Sequence, residues 1–301
     1  GDSYFQGVEL VNIKATSSDT QIEYEAGGEV FIAGNDIAIT TKSVEERISV
    51  SGSEIVFVGY GAIAPEYGWN DYEGLDVKGK TVLILDRDPG QMADDDTMFK
   101  GQGVTYYARS SYKYEEAKRQ GAAMALIIHD KDFTGASWSR MQSFTNRAAL
   151  SLDPEKILAE NLLMQGRIPV PSVQKLFEKA GLDYQQEKNK ALVRGFKGYA
   201  LNAEISVSLD VDAERSVSQN VIGIIPGTER PDEYVFYLAH WDHLGTDKSL
   251  SGDQIYNGAR DNASGVAGIL EIAQAHMSAG APKRSIVILA VTAEESGLLG
   301  S

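Results

Sequence analysis

Two apolar runs, "YVFYLA" at residues 234–239 and "SIVILAVTA" at 285–293, are separated by one stretch of helical period, "NASGVAGILEIAQAHMSAG" at 262–280. In that stretch Val266, Ile269, Leu270, Ala273 and Met277 recur at the spacing of one helix face. Strands joined by a single crossover helix are best placed side by side in a largely parallel sheet whose two faces are covered. The segment from about residue 206 is therefore expected to be α/β, a mixed and largely parallel sheet with helices on both faces.

The grammar upstream is different. "GVELVNIKA", "QIEYEA" at 21–26, "GEVFIAG" at 28–34 and "SEIVFVGYG" read as short strands separated by Gly, Ser, Asp and Asn turns. "VKGKTVLILDRDPG" is a further strand. "SSYKYEEAKRQGAAMALIIHD" reads as a helix ended by Gly121 and a buried strand from Met124 to Ile128. A loop-rich region with Trp138 and Pro154 follows, then a short helix in "PSVQKLFEKAGL" with Ser172 as its cap and Gly181 as its stop. "AEISVSLDV" alternates apolar and polar residues, the period of a strand with one wet face. The divisions expected are an N-terminal strand segment at 1–16, a β-rich accessory domain at 17–205 and an α/β domain at 206–301. A length of 301 residues suits two domains.

Charge and composition remove several classes of function. The 28 basic and 43 acidic residues give a formal net charge of −15, with no Lys/Arg cluster to track a phosphate backbone, so no nucleic-acid partner is expected. Cysteine is absent, which leaves His, Asp and Glu as ligands for a transition metal. No apolar run is long enough for a membrane span, and "GDSYFQGVEL" lacks the basic start and apolar stretch of a signal peptide. The chain is then either cytosolic or preceded by a leader outside this segment.

Three polar clusters fall where the α/β domain would place a ligand. "AHWDHLG" follows the first strand, "NGARDNASG" leads into the helix, and "TAEESG" follows the second strand. Ligands of open α/β sheets sit beyond the carboxyl ends of the strands, so His240, Asp242, Asp261, Glu294 and Glu295 are expected at one edge. One imidazole and several carboxylates suit a divalent metal such as zinc, and a carboxylate beside the ligands could take a proton from an attacking water. Taken singly, each cluster has a bland reading. A Glu pair is usually solvated, a strand-end His is usually structural, and "DNASG" starts a helix with Asn262 or Ser264 as cap. Their order and topology favour one site.

At these residues the chain resembles the co-catalytic zinc aminopeptidase and glutamate carboxypeptidase family, through most of residues 206–301. "FVGYGAIAPEYGWNDYEGLDVKGKTVLIL" and "YKYEEAKRQGAAMALIIHD" are similar to the protease-associated domain of many bacterial members. The resemblance implies a peptide substrate, two Zn2+ ions and an exopeptidase, with aminopeptidase activity in the intact protein. It implies that His240 binds one zinc, that Asp261 bridges both and that Glu295 binds the other. Glu294 would be the general base and Asp242 the carboxylate that orients the His240 ring. A cis peptide after Asp261 and an extracytoplasmic location, periplasmic or secreted, are implied as well.

Two departures qualify the resemblance. Arg260 stands where many relatives have an acidic or small residue. The family pattern also calls for one more acidic ligand and one more histidine downstream of the Glu pair, beyond Ser301, so residues 1–301 alone are expected to be inactive. Among the remaining histidines, His243 reads as a loop residue or pocket wall, His276 as structural on the crossover helix, and His129 as an ordinary strand-end residue. Tyr106, Tyr107, Tyr112 and Tyr114 read as packing, with an interdomain or substrate-facing surface as the alternative. The rival functions are a non-catalytic peptide-binding or receptor-like module and a mononuclear-zinc acyl transferase on the same fold. The oligomeric state is not encoded legibly.

Overall fold

The computed structural model describes residues 3–17, 20–24, 29–31, 35–93, 95, 97–145, 147–157, 162–247 and 250–301. Parts of the expected strands at 21–26 and 28–34 lie outside these residues; strands run over Thr20–Tyr24 and Glu29–Phe31. Contacts divide the chain into two units. The larger comprises Ile13–Ala148 and Leu158–Ala213, and the smaller comprises Gly1–Asn12, Ala149–Ile157 and Glu214–Ser301.

After a first strand, β1 (Phe5–Ser17), the larger unit lays four strands side by side in parallel. These are β2 (Arg47–Phe57), β3 (Thr81–Ile84), β4 (Met124–His129) and β5 (Met164–Pro169). Strand Ala38–Thr40 pairs antiparallel with β5, and the long strand β6 (Tyr199–Ile225) pairs antiparallel with β2. Alternation along the strands separates two cores. Leu83, Leu126 and Ile128 join one, while Val82, Ile84, Ala125 and Ile127 join the other. Helix α1 (Ser110–Arg119) contributes Ala117 to the second core, and helix α2 (Val170–Lys179) contributes Val173, Leu176 and Phe177 to the first. The doubly covered, largely parallel sheet is thus built within residues 47–179. In β6 the expected alternation is present, with Ala203, Ile205, Val207 and Leu209 buried.

Two local expectations change. Ser172 does not cap α2: Pro169 holds the cap position without a side-chain hydrogen bond, and Ser172 is buried in the first turn. Pro171 is tolerated there because the first-turn N–H groups have no intrahelical partner. The segment around Trp138 and Pro154 is not a loop but a helix, Trp138–Thr145, a strand, Ala149–Leu152, and a one-turn helix, Pro154–Ile157. Elements this short contain too few apolar positions to reveal a period.

In the smaller unit β7 (Arg230–His240) and β8 (Arg284–Val291) are parallel neighbours joined through α3 (Ser264–Ala279). The end of β6 pairs antiparallel with the other side of β8, so this sheet is mixed. Helix α3 buries Ile269, with Val266 and Ala273 half-buried beside it, whereas Leu270 and Met277 are exposed. On β7, Val235 and Tyr237 are half-buried, and the Tyr237 ring lies 5.9 Å from that of His276 on α3. Tyr234, Phe236 and Leu238 point to the other face and are exposed. The sequence led us to expect both faces covered; a continuous apolar run states that a strand is apolar, not what lies against each side. No helix among the described residues is long and apolar enough to cross a membrane.

Candidate metal centre

Because β7 and β8 are parallel, their carboxyl ends share one edge, and the register pairs His240 directly with Val291. The chain leaving each strand is then fixed by hydrogen bonds. Trp241 donates its backbone N–H to Val291 O at 3.0 Å and its indole N–H to Gln219 O at 2.9 Å. The buried Asn220 side chain accepts from Thr292 N at 2.9 Å and donates to Gly300 O at 2.7 Å. Ala293 follows with φ +53°, its methyl packed with Val8 and Leu10. This left-handed residue turns the chain just before Glu294 and Glu295.

His240, Asp261 and Glu295 each offer one ligand atom, and these three atoms lie within 4.8 Å of one another. His240 is buried, and its Nε2 is 2.9 Å from Asp261 Oδ1 and 3.5 Å from Glu294 Oε2. Its Nδ1 donates to the backbone oxygen of Asp242 at 3.0 Å, which directs Nε2 at the carboxylates. The Asp242 carboxylate is otherwise engaged, accepting from Glu294 N at 3.0 Å and Glu295 N at 3.2 Å, and its Oδ1 is 3.8 Å from His240 Nδ1. The ring is therefore held chiefly by the Asp242 peptide oxygen, while the Asp242 side chain pins the backbone of the Glu pair. Burial opposes a charged imidazole. The hydrogen bonds to Asp242 O and Asp261 and the charges of Glu294 and Asp242 outweigh it, leaving the His240 pKa above its ordinary 6.5.

Asp261 reaches the centre from a kinked turn, Ala259–Ala263, with a cis peptide between Asp261 and Asn262. Neither cap that the sequence offered holds the cap position of α3, which is Ala263, although Asn262 Oδ1 one residue earlier accepts from Gly265 N at 3.0 Å. Ser264 instead donates to Arg260 O at 2.7 Å. Arg260 itself is exposed.

His243, read from the sequence as a loop residue or pocket wall, donates from Nδ1 to Glu295 Oε1 at 2.8 Å. Its partner lies 52 positions downstream, so no local pattern could reveal the pair. The other candidates have partners of their own. His276 contacts Tyr237, and His129 is buried with Nε2 bonded to Ala136 O at 3.0 Å. Tyr106, Tyr107 and Tyr112 stack edge to face on one another, and Tyr114 donates to Gly166 O at 2.9 Å.

One imidazole with two carboxylates is a donor set that zinc accepts. His240 meets a further requirement, since its second ring nitrogen is already committed to an outer partner.

Residues 220–301 match the model of Peptidase family M28. Over 108 residues the chain is 35% identical to aminopeptidase NAALADL1 of Mus musculus, covering 34% of this chain and 13% of that one. It is 33% identical over 109 residues to the glutamate carboxypeptidase 2 homolog of Caenorhabditis elegans, covering 35% and 13%. Over 84 residues it is 40% identical to a probable zinc metalloprotease of Pyrenophora teres f. teres, covering 27% and 17%. Among solved structures, the aminopeptidase from Aneurinibacillus sp. strain AM-1 aligns with 98% of this chain and 54% of its own, at 17% identity and a TM-score of 0.38. The chain spans a small part of the curated relatives' length and about half of that solved chain.

Proposed function

We propose that this chain, through the M28 peptidase segment at residues 220–301, forms part of a zinc-dependent exopeptidase that acts on peptides as an aminopeptidase. The observation that carries the reading is the convergence of His240, Asp261 and Glu295 from three separate stretches of chain onto one sheet edge. In the proposed arrangement His240 would hold one of two zinc ions, Glu295 the other, and Asp261 would serve both. Zinc held there supplies Lewis acidity toward a peptide carbonyl and toward water.

The protein's own groups divide the remaining work. His240 is held by the Asp242 peptide oxygen so that its Nε2 faces the carboxylates. Glu294 stands beside the three ligands without being one of them, with Oε2 3.5 Å from His240 Nε2. It is the group placed to accept a proton from water and to return it to the departing amine. Asp242 keeps both glutamates from turning away by accepting their backbone N–H groups.

Glu294→Gln should leave zinc content near that of the parent while peptide hydrolysis falls by roughly 100-fold or more. Glu295→Gln should lower zinc content as well. Metal analysis beside a peptidase assay on the intact protein separates the two; hydrolysis by Glu294→Gln at the parent rate would remove Glu294 from the role of base.

A further inference from the structure

His243 is held on three sides. Its Nδ1 donates to Glu295 Oε1 at 2.8 Å, and both side chains are about three-quarters buried, with exposures of 23% and 22%. The ring of Tyr256 meets the imidazole edge to face at 6.3 Å. On the third side is Gly258, whose φ is +62°; a Cβ there would lie 3.0 Å from His243 Cγ and 3.1 Å from His243 Cβ. The glycine that shapes the turn toward Asp261 is thus also the residue that leaves room for this imidazole. Nothing in the division of work above uses His243.

A carboxylate has two equivalent oxygens and rotates freely unless something distinguishes them. The His243 N–H engages one oxygen and leaves the other with a fixed direction. We infer that His243 is a positioning residue: it locks the Glu295 carboxylate in the orientation that receives the metal, acting on the ion only through Glu295. The inference rests on the metal reading proposed above.

The test exploits the shapes of two amides. Asn at this position presents its side-chain N–H near the place of Nδ1, Gln presents it about one bond farther out, and Leu fills the space with no donor. Zinc affinity is measured at one pH by competition with a chelator, and unfolding midpoints are taken with and without zinc. His243→Leu should bind zinc about 10- to 100-fold more weakly, the usual effect of losing an outer partner of a ligand. His243→Asn should recover most of that loss, with His243→Gln between the two. In the absence of zinc, the Asn and Leu variants should unfold at similar temperatures, while the rise in midpoint on adding zinc should be smaller for Leu. Should His243→Leu not fold, the ordering of Asn above Gln still decides. Parent-like affinity in His243→Leu, or no advantage of Asn over Leu or Gln, overturns the positioning role and leaves the metal reading standing. A parent protein that takes up no zinc overturns both.

Discussion

At the scale of single residues, the centre depends on backbone states that residue identity does not announce. Ala293 adopts φ +53° and is buried at 4% exposure immediately before the Glu pair. A left-handed conformation costs a non-glycine residue roughly 1–2 kcal/mol, and a β-branched side chain tolerates it worst. Ala293→Val should therefore destabilise the protein by about 2–3 kcal/mol through strain and overpacking against Val8 and Leu10. Ala293→Gly should stay within about 1 kcal/mol, because relief of strain offsets the lost methyl and the added chain entropy. Denaturant unfolding of both variants checks the sign and the gap between them. His240, Asp261, Glu294 and Glu295 could be picked out from the sequence because each stands where an apolar period breaks. The His243 pairing could not, since it joins two stretches whose proximity exists only once β7 and β8 are neighbours.

Among elements, α3 shows what periodicity reveals and what it leaves out. Five apolar residues marked the helix correctly, yet only Ile269 is buried, with exposures of 6% for Ile269, 61% for Leu270 and 73% for Met277. Adjacent residues on a helix point about 100° apart, so a broad apolar stripe fixes the helix without fixing its rotation. Ile269→Ala should cost about 2–4 kcal/mol, whereas Leu270→Ala and Met277→Ala should each change stability by less than about 0.5 kcal/mol. Equal losses at Ile269 and Leu270 in thermal or denaturant unfolding would show that the helix is rotated from the orientation seen. The parallel pairing of β7 with β8 was legible because a single crossover helix leaves little alternative. The short helix Trp138–Thr145 was not, because its eight residues make barely two turns.

For the molecule as a whole, the most consequential feature hidden from the sequence is the presence of two buried ionisable side chains in the larger unit. Lys113 is fully buried and donates to Tyr60 O at 2.6 Å; Asp71, 2% exposed, accepts from Ala62 N at 3.0 Å. One sits in a polar helix and the other in a turn, and sequence alone would leave both in water. Burial pushes the Asp71 carboxyl from 3.8 up to about 7 and pulls the Lys113 ammonium from 10.5 down to about 8. Between about pH 4 and 7 the folded chain keeps the Asp71 proton that the unfolded chain has released, so this group's contribution to stability falls as pH rises through that window. Between about pH 8 and 10.5 the unfolded chain holds the Lys113 proton that the folded chain lacks, so that contribution rises with pH. Asp71→Asn should flatten the acid-side slope, and its stability relative to the parent should improve steadily from pH 4.5 to 7.5. A pH-independent difference in unfolding free energy would rule out a protonated Asp71 at low pH.

The three donors of the candidate centre also bear on a chain that has no cysteine. His240, Asp261 and Glu295 stand on three stretches separated by spans of about 20 and about 35 residues, and two ions sharing Asp261 would together close both spans. In a stretch of chain that can form no disulfide of its own, those ions would act as a reversible cross-link, restraining the unfolded chain as well as equipping the folded one. Loss of zinc would then loosen the loops after β7 and β8 before it touched the strands, and the zinc-dependent rise in unfolding midpoint sought for His243 would measure the strength of that fastening.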